Sequence, residues 1–93
     1  MIQSFADKPT ERLWNGEKPP ELPPSILSTA QRKLTQINSA GRLDDLMIPP
    51  GNRLEKLKGD RKGQHSIRIN DQFRICFVWN ESNASSVEIT DYH

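Results

Sequence analysis

Apolar residues recur along this chain with two different periods. From Ser25 onward Leu27, Ala30, Leu34 and Ile37 return every three or four residues, with Gln31, Arg32, Lys33 and Gln36 opposite them. That spacing predicts an amphipathic helix with its apolar stripe on a core and its polar residues in water, and Gly41 supplies a natural stop. Further along, Ile67 and Ile69 and then Phe73, Ile75, Phe77 and Trp79 alternate with Ser66, Arg68, Arg74 and Cys76. A period of two belongs to half-buried strands. The two apolar rows share one face of an antiparallel hairpin only if the connection has an odd length. Asn70-Asp71-Gln72 meets that condition and sets Arg68 opposite Arg74.

The remaining segments fit around these two elements. Ile2 to Phe5 alternates mildly and reads as an edge or first strand, after which Asp7 caps a short helix with Pro9 in its first turn and Leu13 and Trp14 on one side. Glu17 to Pro24 holds four of the seven prolines and predicts a stiff extended connector. Leu43 to Met47 adds a turn of helix before the Pro49-Pro50-Gly51-Asn52 loop, and the residues before Lys58 form a strand. Asn80 to Ser86 is polar and reads as a connection, with Val87 and Ile89 opening a last strand. The sum is an α+β fold, two N-terminal helices packed on an antiparallel β-sheet of three to four strands, in a single domain spanning residues 1–93.

Charge changes this picture more than composition does. The formal net charge is only +1. Yet the stretch from Arg53 to Arg74 carries Arg53, Lys56, Lys58, Arg61, Lys62, Arg68 and Arg74 against Glu55, Asp60 and Asp71, a local excess of four positive charges on an otherwise acidic chain. Such asymmetry predicts a basic working face of the kind that meets nucleic acid, although a solvated loop has the same composition. Like charges facing each other across a sheet are destabilising, so Arg68 opposite Arg74 predicts an anion held between them. Cys76 is the only cysteine, which excludes an internal disulfide and a cysteine-based metal cluster. The N-terminus turns charged within a few residues and no long apolar segment follows, which predicts a soluble cytoplasmic protein with no membrane partner.

The motifs for nucleotide cofactors and for metals are missing: there is no glycine-rich phosphate loop, no HExxH and only two histidines, His65 and His93. Chemistry in this chain is expected to use side chains alone, with no cofactor and no metal. RNA cleavage suits that restriction, because the 2′-hydroxyl already sits beside the phosphate it attacks. The protein must supply a base, cations for the charge that grows on the phosphoryl oxygens, and an acid for the leaving 5′-oxygen. Lys58, Arg68 and Arg74 are candidate cations, and Asp91, Tyr92 and His93 at the chain end are candidate acids and bases. Histidine, with a reference pKa of about 6.5, serves either role near neutrality. Taken alone, a terminal histidine is more often a frayed end than a catalyst. His65 reads as structural, Cys76 as an inert small side chain, and Trp14 and Trp79 as core.

Leu57-Lys58-Gly59-Asp60-Arg61, Ser66-Ile67-Arg68-Ile69-Asn70-Asp71-Gln72-Phe73-Arg74-Ile75 and the final Asp91-Tyr92-His93, in this order and spacing, resemble the HigB toxins, a branch of the RelE superfamily of bacterial toxin-antitoxin systems. The similarity extends to Met1 to Phe5 and to Pro50-Gly51-Asn52-Arg53-Leu54. The resemblance implies a microbial-ribonuclease-like fold and a toxin that cuts mRNA in the ribosomal A site, leaving a 2′,3′-cyclic phosphate. It implies a helix-turn-helix antitoxin of the HigA type, through which alone the toxin reaches operator DNA, and contacts with the ribosome's 16S rRNA. Carried over by position, it makes Lys58 and Arg74 phosphate-binding cations and Asp91, Tyr92 and His93 the acid-base and orienting residues. Arg53, Lys56, Arg61, Lys62 and Arg68 form the wider RNA-binding set. Some members carry a histidine three residues before the loop lysine; this chain has Glu55 there, a base or a bystander. The competing readings are a non-catalytic RNA- or DNA-binding module and an A-site translation blocker.

Overall fold

The computed structural model describes residues 1–92. Helix α1 spans Lys8–Trp14 and helix α2 Pro24–Ser39; after two short 3-10 turns, Leu43–Met47 and Pro50–Asn52, the chain enters four strands, β1 Glu55–Lys56, β2 Gln64–Arg68, β3 Phe73–Asn80 and β4 Asn83–Asp91. They form one antiparallel sheet in the order β1-β2-β3-β4. Each strand thus neighbours its sequence neighbour, as short connections dictate. The helices cover one face. Leu34, Ile37 and Ala30 of α2 and Leu13 of α1 bury against Ile67, Ile75, Phe77, Val87 and Ile89. This is the α+β arrangement expected from the two periodicities, with the sheet at four strands.

Local chemistry explains the element ends. Asp7 accepts the Thr10 N–H at 3.0 Å and caps α1 as expected. Pro24, the last residue of the stiff connector, occupies the first turn of α2, where its missing N–H costs nothing. The hairpin register pairs Ser66 with Cys76, Ile67 with Ile75 and Arg68 with Arg74. Asn70 closes the three-residue connection by accepting the N–H groups of Gln72 and Phe73 through Oδ1 at 2.9 and 2.7 Å.

Residues 1–6 run parallel to the outer edge of β4, through isolated bridges from Ile2 to Ala84 and Phe5 to Val87, and do not form a strand of their own. Just beyond, the buried Thr10 hydroxyl of α1 accepts the Ile89 N–H at 3.0 Å. An edge that would otherwise template aggregation is thereby capped along its length.

Two expectations need correction. Asn80 to Ser86 is not a long connection: β3 and β4 meet in a tight turn at Glu81 and Ser82, and β4 starts at Asn83. A bulge between Cys76 and Val78, with Ser86 at φ 51°, inserts one extra residue in β4. The inward parity therefore passes from Ala84 to Val87, three residues on, and the strand loses its period of two. Lys33 is also not on the solvent face of α2. It is 6% exposed, and its ammonium donates to Oδ1 of the fully buried Asn52.

Candidate functional site

The sheet face away from the helices carries Gln64, Ser66 and Arg68 of β2, Arg74 and Cys76 of β3 and Glu88 and Thr90 of β4, by the pleat and the register. Glu55, opposite Ser66 in β1, belongs to the same face. Ser66 and Cys76 are nonetheless fully buried. Long side chains roof this face. Arg61 donates from Nη1 to Gln64 Oε1 and Glu88 Oε1, both at 3.1 Å. Burial pushes the Cys76 thiol up, away from the reactive thiolate, in line with its inert reading.

Arg74 is the most constrained cation here. Its Nε donates to Ser66 Oγ at 2.7 Å, its Nη2 to the Arg53 carbonyl at 2.7 Å and the Ser66 carbonyl at 3.3 Å. The Tyr92 ring lies 5.9 Å from its guanidinium carbon, within cation–π range. Backbone bonding from Tyr92 N to Gln72 O at 2.6 Å brings that ring to the hairpin.

Arg68 sits opposite Arg74, yet no anion between them is required. Arg68 pairs with Asp71 in the connection, while Ser66 and two carbonyls surround Arg74. The expected repulsion is relieved locally, each arginine with its own acceptors.

Next to the Tyr92 ring, a cleft of about 490 Å³ is lined by Glu55, Lys56, Leu57, Lys58 and Tyr92. A second of about 410 Å³ adjoins it along Lys56, Leu57, Lys58, Gly59 and Lys62. Lys58 opens the 3-10 turn Gly59–Arg61, and Gly59, at φ 64°, takes the left-handed backbone that lets the loop double back. Buried Leu57 anchors the loop between two exposed lysines. The structure thus puts a carboxylate, a cation and a phenol, Glu55, Lys58 and Tyr92, around an open cleft, with the Arg74 guanidinium behind the Tyr92 ring. Such a set can bind a phosphodiester and exchange protons with it.

Asp91 is placed otherwise. Its register with Phe73 gives it the helix-side face of the sheet, and Gln72 Nε2 donates to its carboxylate at 3.0 Å. Tyr92, one residue on, returns to the open side. His93 lies outside the described residues. His65 stacks on Phe77 with centroids 6.3 Å apart, and burial, then the neighbouring Lys56, holds its pKa below the ordinary value. A structural role fits it.

The model of the family described as the RelE-like toxin of type II toxin-antitoxin system HigB matches residues 3–93. The chain belongs to this family. Among HigB relatives, it is 44% identical over 80 residues to Toxin HigB-1 of Vibrio cholerae serotype O1, spanning 85% of this chain and 84% of the relative. It is 30% identical over 97 residues to Endoribonuclease HigB of Proteus vulgaris, with both chains covered completely. The solved YoeB-YefM complex from Staphylococcus aureus contains a similar fold, with a TM-score of 0.57 at 16% identity over 100% of this chain and 98% of that one.

In this HigB chain, four residues that sequence reasoning did not single out bear on the site. Ser66 anchors Arg74 directly. Asn52, Lys33 and Gln36 form a buried cluster under the loop that carries Arg53: Asn52 accepts from Lys33 and donates through Nδ2 to Gln36 Oε1 at 3.1 Å, to the Leu46 carbonyl at 3.2 Å and to the Ile48 carbonyl at 3.4 Å. Burial, then the nearby Arg32 and Arg68, lowers the Lys33 pKa. The only advance signal was an asparagine beside Pro50 and Gly51, which reads equally well as a turn residue.

Proposed function

We propose that this HigB toxin is a ribosome-dependent endoribonuclease that cuts mRNA in the A site, without a metal, by attack of the 2′-hydroxyl on the adjacent phosphate. The observation that carries this reading is the Arg74 guanidinium, fixed by Ser66 and the Arg53 carbonyl and set against Tyr92 beside the cleft of Lys58 and Glu55. The name of the Proteus vulgaris relative, an endoribonuclease, supports the same chemistry.

In this mechanism Arg74 and Lys58 hold the nonbridging oxygens and stabilise the charge that develops there. Glu55 takes the 2′-hydroxyl proton, and the chain end, Tyr92 with His93, supplies the proton for the 5′-oxygen. Asp91, on the other face, orients the chain end and takes no proton from substrate. Lys56, Lys62, Arg53, Arg61 and Arg68 extend the basic surface toward mRNA and 16S rRNA. Arg61 exchanges part of its pairing with Glu88 for phosphate when RNA docks. The open cleft leaves room for substrate geometry to be completed by the ribosome, which supports dependence on it. In the cell the toxin is held by an antitoxin, of the helix-turn-helix HigA type, that links it to operator DNA.

Primer extension on message incubated with the protein, with and without programmed ribosomes, tests the reading. A new 5′ end inside the A-site codon, seen only with ribosomes, is expected. Equal cutting of naked RNA overturns the ribosome requirement. Stalled ribosomes on intact message favour a blocker, and salt-sensitive binding with neither product nor stall favours a binding module.

A further inference from the structure

Arg53 belongs to the basic stretch by sequence, yet the contact it makes toward the site is through its main chain. Its carbonyl accepts Arg74 Nη2 at 2.7 Å. It can do so because Arg53 adopts φ 46° and ψ 55°, a left-handed conformation that a residue with a side chain rarely takes. Such a conformation persists only where its surroundings over-determine it.

The surroundings here are specific. Immediately before Arg53, Asn52 is fully buried, and its amide meets four partners: the Lys33 ammonium, Gln36 Oε1 and the carbonyls of Leu46 and Ile48. Two of these lie on α2 and two on the incoming loop. Main-chain bonds from Asn52 N to Pro49 O at 2.9 Å and from Arg53 N to Pro50 O at 3.1 Å close the turn. A side chain so fully engaged, with the turn closed on both sides, leaves the Asn52–Arg53 peptide little freedom, and the left-handed φ and ψ of Arg53 then aim its own carbonyl, in the next peptide, at Arg74.

We propose that Asn52 and the left-handed Arg53 form a positioning device for Arg74, in which the Arg53 carbonyl, held by the Asn52–Lys33–Gln36 cluster, fixes the guanidinium plane. Asn52 and Arg53 are positioning residues, acting on substrate through Arg74, and the inference rests on the ribonuclease reading only for its consequence in catalysis. The device places one rigid cation at the site at the expense of backbone strain and a buried ammonium.

The test separates backbone from charge. Arg53→Gly and Arg53→Pro both remove the guanidinium, but glycine keeps the positive φ and the N–H that bonds Pro50 O, whereas proline, fixed near −65°, forbids the one and lacks the other. The readout is the ¹⁵N spectrum of the Arg74 guanidinium in the intact protein, where a hydrogen-bonded Nη2 slows rotation and separates the Nη1 and Nη2 signals. Separate signals are expected in the wild type and in Arg53→Gly, and markedly faster exchange between them in Arg53→Pro and Asn52→Ala, where only the longer contact of Nη2 with the Ser66 carbonyl remains. The loop is exposed at Arg53, so the proline variant leaves the core in place should Asn52→Ala fail to fold. Single-turnover cleavage should be about 10²-fold slower in Arg53→Pro than in Arg53→Gly at saturating protein. Exchange as slow in Arg53→Pro as in the wild type, or equal cleavage by the two variants where the wild type cuts, overturns the proposal. Wild-type protein that shows separate signals but cuts no RNA overturns the ribonuclease reading and leaves the positioning device standing.

Discussion

The two cations of the candidate site are held in opposite ways. Arg74 rises from the start of β3, a strand paired on both sides, with Nε and Nη2 bonded to Ser66 and Arg53 and a tyrosine ring beside it. Lys58 stands exposed at the start of a three-residue turn, and among the described residues no side chain holds its ammonium. The first is preorganised by the fold, and the second is left exposed to solvent. Preorganised charge stabilises a transition state without reorganisation, whereas a mobile lysine gives up side-chain freedom on binding. Under the proposed function, this contrast gives Arg74 chiefly to the chemical step and Lys58 to both capture and charge neutralisation.

The largest expected effect follows from deleting the fixed cation. Arg74→Ala should slow single-turnover cleavage by about 10³-fold. Lys58→Ala should cost about 10²-fold, with Lys58→Arg restoring most of it, since an unsocketed cation is replaceable. Should Lys58→Arg prove as poor as Lys58→Ala, the contrast between the two sites collapses.

A smaller effect is expected at the socket itself. Ser66→Ala removes the Nε acceptor, leaves the carbonyl contacts, and should slow cleavage about tenfold while costing about 1 kcal/mol in urea unfolding. Smallest is a pH effect remote from the site. Because His65 has a lowered pKa in the folded protein, the unfolded chain takes up its proton first as the pH falls. Stability should be fully present above the unfolded value, about 6.5, and decline below it until the folded form also titrates. Thermal unfolding of His65→Gln should lack that part of the slope between pH 7 and 5.

Most of the fold was legible because its core elements keep one period throughout. The α2 stripe and the β2–β3 hairpin have no interruption, so register and the Arg68–Arg74 pairing followed from parity alone. The front half of β4 was not legible, since the bulge resets its parity between Ala84 and Val87. Lys33 was misplaced for a different reason: charge type predicts exposure unless a partner is known, and its partner Asn52 lies 19 residues away in a turn. At the site, Glu55, Lys58 and Tyr92 line one cleft, and Arg74 stands against the Tyr92 ring. Asp91 falls on the other face because alternation continues through Asp91 and Tyr92, which a motif read as consecutive residues ignores. The Arg53 carbonyl was invisible, because main-chain acceptors leave no mark on residue type.

The most direct test of a fixed, chemistry-bearing Arg74 is Arg74→Lys in single-turnover cleavage of A-site mRNA, over a range of toxin concentration. Lysine keeps the charge but lacks the fork that meets both Ser66 and Arg53. The rate at saturation should fall by about 10²-fold with the half-saturating concentration within about threefold of wild type. An unchanged saturating rate with weakened binding alone would contradict the account and make Arg74 a docking charge like those of the surrounding loop.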